Sequence, residues 1–126
     1  IMKKNRIMVI DDEAEIVELI QFFLQMGGLE IITASSPEEA LSKAQDKIDM
    51  IISDICMPKT NGISLYKQIC SKLNYSPPVV FVSAFGDIAK KEAEEVGALA
   101  MLGKPIDFEK LSYYIQLACE NTKLAA

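Results

Sequence analysis

Three aspartates, a serine and a lysine are the residues whose types and spacing can do chemistry: Asp11-Asp12, Asp54, Ser83 and Lys104. Each stands at the end of a short apolar run. Ile7-Met8-Val9-Ile10 leads into the acidic pair, Met50-Ile51-Ile52-Ser53 into Asp54, Val79-Val80-Phe81-Val82 into Ser83, and Ala100-Met101-Leu102 into Gly103-Lys104-Pro105. Singly, each has a plain structural reading: an Asp after a strand often caps the next helix, and the others suit turns and solvated loops. Jointly they share a chemistry. Clustered carboxylates at ~4 Å repel by on the order of 4 kcal/mol per pair at an effective dielectric of ~20. A hard divalent cation relieves that repulsion, and a small, partly hydrated oxygen site suits Mg²⁺ better than a Ca²⁺ cage. Beside such a cation Asp54 is a nucleophile that needs no deprotonation. Lys104 offers a point charge, and Ser83 a hydrogen bond, to the oxygens of an incoming phosphoryl group. The chain has no His, so imidazole metal sites and Ser–His or Cys–His triads are excluded within it. Phosphoryl transfer to a carboxylate needs no such base.

These residues must be brought together by the elements that carry them. Five apolar runs, the four above and Glu30-Ile31-Ile32-Thr33, alternate with five helical patterns. Most runs are apolar at consecutive positions, as in parallel strands covered on both faces by helices, so the expectation is an α/β domain with right-handed crossovers. Ligands of open α/β sheets bind at the carboxyl ends of the strands, where the chemistry collects; the second strand ends in the small residues Thr33-Ala34-Ser35. Ser36-Pro37-Glu38-Glu39 predicts a helix start with a capping box, and Asp107 a cap for the last helix, whose Phe108, Leu111, Ile115 and Ala118 share a face. The first helix predicts a core stripe of Ile16, Leu19, Ile20 and Phe23 and a stop at Gly27-Gly28. A charged fourth helix is expected over Asp87 to Val96, its Lys90, Lys91, Glu92, Glu94 and Glu95 read as a solvated face ahead of a partner surface.

Composition bounds the rest. Half of the 126 residues are hydrophobic, enough for one core. A net charge of −5 argues against nucleic-acid binding by this segment. No apolar run approaches the ~18 residues of a membrane span, and Ile1-Met2-Lys3-Lys4 is too short for a signal peptide. Cys56, Cys70 and Cys119 form no CxxC pair and read as reduced cysteines of a cytoplasmic protein. Lys123-Leu124-Ala125-Ala126 reads as a translated cloning-site scar, leaving one domain over residues 1–122.

From Arg6 to Asn121 the chain resembles the receiver domains of two-component response regulators. The resemblance is carried by Val9-Ile10-Asp11-Asp12-Glu13, Ser53-Asp54-Ile55-Cys56-Met57-Pro58, Asn61-Gly62, Val82-Ser83-Ala84, Gly97-Ala98 and Lys104-Pro105. It implies a flavodoxin-like three-layer (βα)₅ sandwich: a five-stranded parallel sheet of order 2-1-3-4-5, with two helices on one face and three on the other. It also implies roles. Asp54 is the phosphoacceptor; Asp12, Asp54 and the backbone carbonyl of Cys56 hold Mg²⁺ directly, and Asp11 through water. Lys104 pairs with the phosphoryl group and Ser83 moves toward it as the switch residue. The implied donors are a sensor histidine kinase, a phosphotransfer protein or a small acyl phosphate, with later loss of the phosphoryl group to water. Such a domain is a signalling phosphoacceptor and not an enzyme acting on other substrates.

Met101 departs from the pattern, because the family commonly carries Tyr or Phe three residues before the lysine. A thioether fills the same space but reports a rotamer change less sharply, which leaves open a docking module that works without phosphorylation. Phe85 and Cys56 are expected to flank the site entrance, where a bulky ring would shield an acyl phosphate. Two other classes fit less well. A flavin binder needs amides where Asp11-Asp12-Glu13 would repel its phosphate. An Asp-nucleophile phosphatase of the haloacid dehalogenase type wants a second acid two residues after the nucleophile, where this chain has Cys56.

Overall fold

The computed structural model describes residues 4–45, 47–86 and 88–119. The expected scar at 123–126, the outer ends of the domain assigned to 1–122 and the expected helix start at Asp87 lie outside the described residues. The main sheet comprises β1 (Arg6–Ile10), β2 (Glu30–Ala34), β3 (Met50–Asp54), β6 (Val79–Ser83) and β7 (Ala100–Gly103). All neighbours are parallel, in the order β2-β1-β3-β6-β7. Between β3 and the third helix lies an antiparallel ribbon of β4 (Cys56–Met57) and β5 (Thr60–Asn61), which the sequence pattern did not announce. Omitting that ribbon, the order is the expected 2-1-3-4-5.

Strand alternation explains the two cores. Ile7, Val9, Met50, Ile52, Val80 and Val82 face α1 (Ala14–Gln25) and α5 (Phe108–Ala118), packing with Ile20, Leu24, Leu111 and Ile115. Met8, Ile10, Ile51 and Phe81 face the other way, against α2 (Pro37–Lys43), α3 (Gly62–Leu73) and α4 (Lys90–Glu95), through Ala40, Leu65, Ile69 and Ala93. β3 and β6 are buried at every position. The central strands are thus covered on both faces, as runs of consecutive apolar residues require, while the edge strands β2 and β7 are only partly buried.

The helix ends follow local chemistry, with three differences from expectation. Ser36 Oγ accepts from Glu39 N, as a capping box requires, but the Glu39 carboxylate returns to Ser35 N (2.6 Å) and Ser35 Oγ (3.0 Å) instead of Ser36 N. The box is therefore offset by one residue. Within the expected stripe of α1, Leu19 is 54 % exposed. The helix carries apolar residues on more than one face, and the buried arc runs through Ile20 and Leu24 with Ile16 and Phe23. Finally, α4 begins at Lys90, because Ala89 has φ +62 and a left-handed residue cannot continue a right-handed helix. Its charges at 90–92, 94 and 95 are exposed around a buried Ala93, which fits the solvated-face reading.

The two kinds of apolar position should respond differently to truncation. Ile69→Ala empties a fully buried site and is expected to cost about 2–5 kcal/mol. Leu19→Ala should change stability by no more than about 0.5 kcal/mol. Urea denaturation of both variants reads the contrast.

Candidate functional site

The carboxyl edge of the sheet carries the site because β1, β3, β6 and β7 all end there. Asp11 follows β1 and its amide extends the ladder to Ala34 O (3.1 Å). Asp54 is the last residue of β3, and the next amide, Ile55 N, bonds Val82 O (2.9 Å). Lys104 follows β7, with its amide on Ser83 O (2.9 Å). Each functional side chain therefore leaves a backbone still locked in the sheet.

Asp11, Asp12 and Asp54 offer carboxylate oxygens that lie within 4.8 Å of one another. Asp11 and Asp54 are buried, Asp12 exposed. Lys104 Nζ joins them, at 3.0 Å from Asp11 Oδ2 and 3.3 Å from Asp54 Oδ2. Two backbone amides add to this: Glu13 N donates to Asp11 Oδ1 (2.8 Å) and Cys56 N to Asp54 Oδ1 (3.2 Å). Burial still dominates. It raises the pKa of Asp11 above the ordinary carboxylate value, against the Glu13 amide and Lys104. Burial likewise raises Asp54, with the Asp11 charge adding to it and Lys104 opposing. For Lys104, burial pulls the pKa down, but Glu13, Asp11 and Asp54 more than reverse it, so its ammonium is held above the ordinary lysine value. One cation is not enough to neutralise this cluster.

The expected residues are placed unequally. Asp11, Asp12, Asp54 and Lys104 meet. Ser83 lies at the end of β6, fully buried, but its Oγ accepts from Phe85 N (3.1 Å); among the described residues its hydroxyl makes no hydrogen bond to the carboxylates. Cys56 is half-buried and joins the site through its amide. Phe85 leaves 65 % of its surface in solvent. Met101 sits opposite Phe81 in the β6–β7 register and packs into the α2–α4 core.

Two contributors went unread in the sequence. Glu13 Oε1 lies 2.9 Å from Lys104 Nζ; a glutamate next to an acidic pair shows nothing of a lysine 91 positions on. Gly62 stands out in the sequence only through the pair Asn61-Gly62. Its amide donates to Ile55 O (2.7 Å), and a Cβ there would lie 2.1 Å from the Asp54 carbonyl oxygen. The start of α3 thus rests directly on the backbone of Asp54, and only glycine permits that approach.

A five-stranded parallel sheet with an acidic cluster and one lysine at its carboxyl edge defines a class of signalling domain. The chain belongs to the response regulator receiver domain family, whose model matches residues 7–116. It is 33 % identical over 123 residues to the alkaline phosphatase synthesis transcriptional regulatory protein PhoP of Bacillus subtilis, covering 97 % of this chain and 51 % of that protein. It is also 33 % identical to the transcriptional regulatory protein CpxR of Escherichia coli, covering 85 % of this chain and 46 % of that protein. The chain thus spans about half the length of these relatives. Among solved structures it resembles a receiver domain protein from Clostridium thermocellum (34 % identity, TM-score 0.79, 90 % of this chain and 92 % of that one). The chemotaxis protein CheY4 of Vibrio cholerae is similarly close (30 % identity, TM-score 0.81, 93 % and 100 %). No helix among the described residues is long and apolar enough to cross a membrane.

Two predictions follow from this geometry. Gly62→Ala pushes against backbone atoms of Asp54, so it should lower stability by about 1–3 kcal/mol in chemical denaturation. Asp54→Asn should melt at a higher temperature than the unsubstituted domain when both are metal-free at neutral pH. Asp54 is an acid whose folded-state pKa is raised, so the folded domain binds its proton more tightly than the unfolded chain does. Stability is then lost as pH rises from the ordinary carboxylate value through the raised one. The difference between the two proteins should close as pH falls below the ordinary carboxylate range.

Proposed function

We propose that this chain is a phosphoacceptor receiver in which Asp54 takes a phosphoryl group with the help of Mg²⁺. The observation that supports it most is the convergence of Asp11, Asp12 and Asp54 on one point with Lys104 beside them. The donor set fits the metal: hard oxygen ligands, close together, with two carboxylates whose raised pKa values mark negative charge left uncompensated. Asp12, Asp54 and the Cys56 carbonyl would hold the ion directly and Asp11 through water. When bound, Mg²⁺ supplies charge neutralisation for the oxygens around phosphorus.

The chain's own residues carry the remaining steps. A carboxylate oxygen of Asp54 attacks phosphorus, an O–P bond forms, and the N–P bond of a donor phosphohistidine breaks with its electron pair returning to the imidazole. Lys104 pairs with one phosphoryl oxygen and the Ser83 hydroxyl donates to another, leaving its bond with Phe85 N. Loss of the group reverses the charge flow: water attacks phosphorus and the Asp54 carboxylate departs. Phe85, exposed beside Ser83, shields the acyl phosphate from that water. The natural donor is a sensor histidine kinase or a phosphotransfer protein. Phosphorylation switches a partner surface on α4, β7 and α5, read by an output domain or protein; the domain itself binds neither nucleic acid nor membrane and acts in the cytoplasm.

Intact-mass spectrometry after incubation with acetyl phosphate tests this reading. The expected result is a gain of one phosphoryl mass that requires Mg²⁺ and is absent in Asp54→Asn. A folded, Mg²⁺-binding protein that gains no mass from acetyl phosphate or from a phosphorylated kinase would favour a docking module instead.

A further inference from the structure

Lys104 is fully engaged in this structure. An ammonium has three N–H donors, and three carboxylates surround Nζ: Glu13 at 2.9 Å, Asp11 at 3.0 Å and Asp54 at 3.3 Å. To reach a phosphoryl oxygen, the lysine must give up one of them. The three differ in what their loss entails. Asp11 and Asp54 have side chains only 3 % and 4 % exposed and line the proposed metal and phosphoryl site itself, so their bonds hold the ammonium where a phosphoryl oxygen would meet it. Glu13 is 60 % exposed, so water can take over its oxygen at once. Its backbone does not have to move either. Glu13 N is held by Asp11 Oδ1, its carbonyl accepts from Ile16 N and Val17 N, and its side chain makes no capping bond at the start of α1.

We propose that Glu13 is a positioning residue that holds Lys104 back in the unphosphorylated domain, and that release of this pair is part of accepting the phosphoryl group. The proposal rests on the reading of Asp54 as phosphoacceptor. Glu13 touches the reaction only through Lys104: it competes with the phosphoryl oxygens for the same ammonium, and so lowers the affinity of the site for an anion. An ion pair with one largely exposed partner is worth little in water, so the competition should amount to roughly a two- to fivefold effect.

The test compares Glu13→Gln, Glu13→Asp and Glu15→Gln with the unsubstituted domain. The aspartate keeps the charge but is one methylene shorter. Glu15, exposed in the first turn of α1, controls for simple loss of a negative charge near the site. Two quantities are read: the initial rate of phosphorylation at low acetyl phosphate, by intact mass, and the Mg²⁺ affinity, by calorimetry. The expected result is a two- to fivefold faster rate in both Glu13 variants, no such gain in Glu15→Gln, and an Mg²⁺ affinity that stays within about twofold. Unchanged rates in the Glu13 variants, when the unsubstituted domain is phosphorylated, would overturn the latch and leave the acceptor reading standing. So would an equal gain in Glu15→Gln, which would mean general relief of repulsion, or a fall in Mg²⁺ affinity, which would place Glu13 on the metal. An unsubstituted domain that takes no phosphoryl group from acetyl phosphate or from a phosphorylated kinase sinks both readings together.

Discussion

Two carboxylates buried side by side, Asp11 and Asp54, are the constraint to which the rest of this molecule answers. Taking an ionised carboxylate out of water is unfavourable by several kcal/mol unless it is paired, and placing a second one beside it adds repulsion. The chain meets this with one lysine and two backbone amides, Glu13 N and Cys56 N. The compensation is incomplete, since both acids remain harder to ionise than in water. What is left over is a negative potential at the end of the sheet, with the exposed Asp12 open to solvent. That uncompensated charge is the feature on which the proposal of a divalent cation at this site rests.

The sheet makes that arrangement possible. β1 and β3 are neighbours, so strand spacing of about 4.8 Å puts their terminal carboxylates within reach of one metal ion. β7 lies beyond β6, roughly two strand spacings from β3, so its residue must reach back across the end of β6. A lysine with its four-carbon stem does this and delivers a compact charge with three donors. Ser83, at the end of β6, is small enough to lie beneath that path, and its carbonyl fixes the Lys104 backbone. On the other side, the close approach of Gly62 lets α3 begin directly against Asp54. The aliphatic cores above and below the sheet hold these backbones rigid, so the charged groups cannot drift apart to relieve themselves.

Much of this was legible in the sequence, for a physical reason. Parallel strands buried on both faces must be apolar throughout, so the residue that breaks each run stands out, and Asp11, Asp54, Ser83 and Lys104 are those breaks, all at the carboxyl edge where the candidate site lies. The unread parts belong to contacts that no period encodes. The Glu13–Lys104 pair joins positions 91 residues apart, and the need for glycine at position 62 comes from the backbone of residue 54. Leu19 misled because α1 is apolar on more than one face; periodicity shows that a helix is amphipathic but not which edge of a wide stripe meets the sheet. The helix expected through Ile88 and Ala89 begins only at Lys90, because neither side chain bars a helix while the left-handed backbone of Ala89 keeps α4 from starting earlier.

Met101 bears on how a change at Asp54 would travel. Ser83 Oγ is bound to Phe85 N, so a hydroxyl drawn toward a phosphoryl group would free the segment that leads toward α4. Lys104 N stays bonded to Ser83 O, so the lysine and the serine share one piece of scaffold and any shift of β6 is felt by β7. Met101 sits where those strands pair, opposite Phe81 and against the core beneath α4. A planar aromatic ring there would have few rotamers. A thioether, with more rotatable bonds and no fixed plane, follows its surroundings instead. Were Asp54 to accept a phosphoryl group as proposed, the contacts that would have to break outright are the Ser83 Oγ–Phe85 N bond and an ion pair of Lys104, not a contact at position 101.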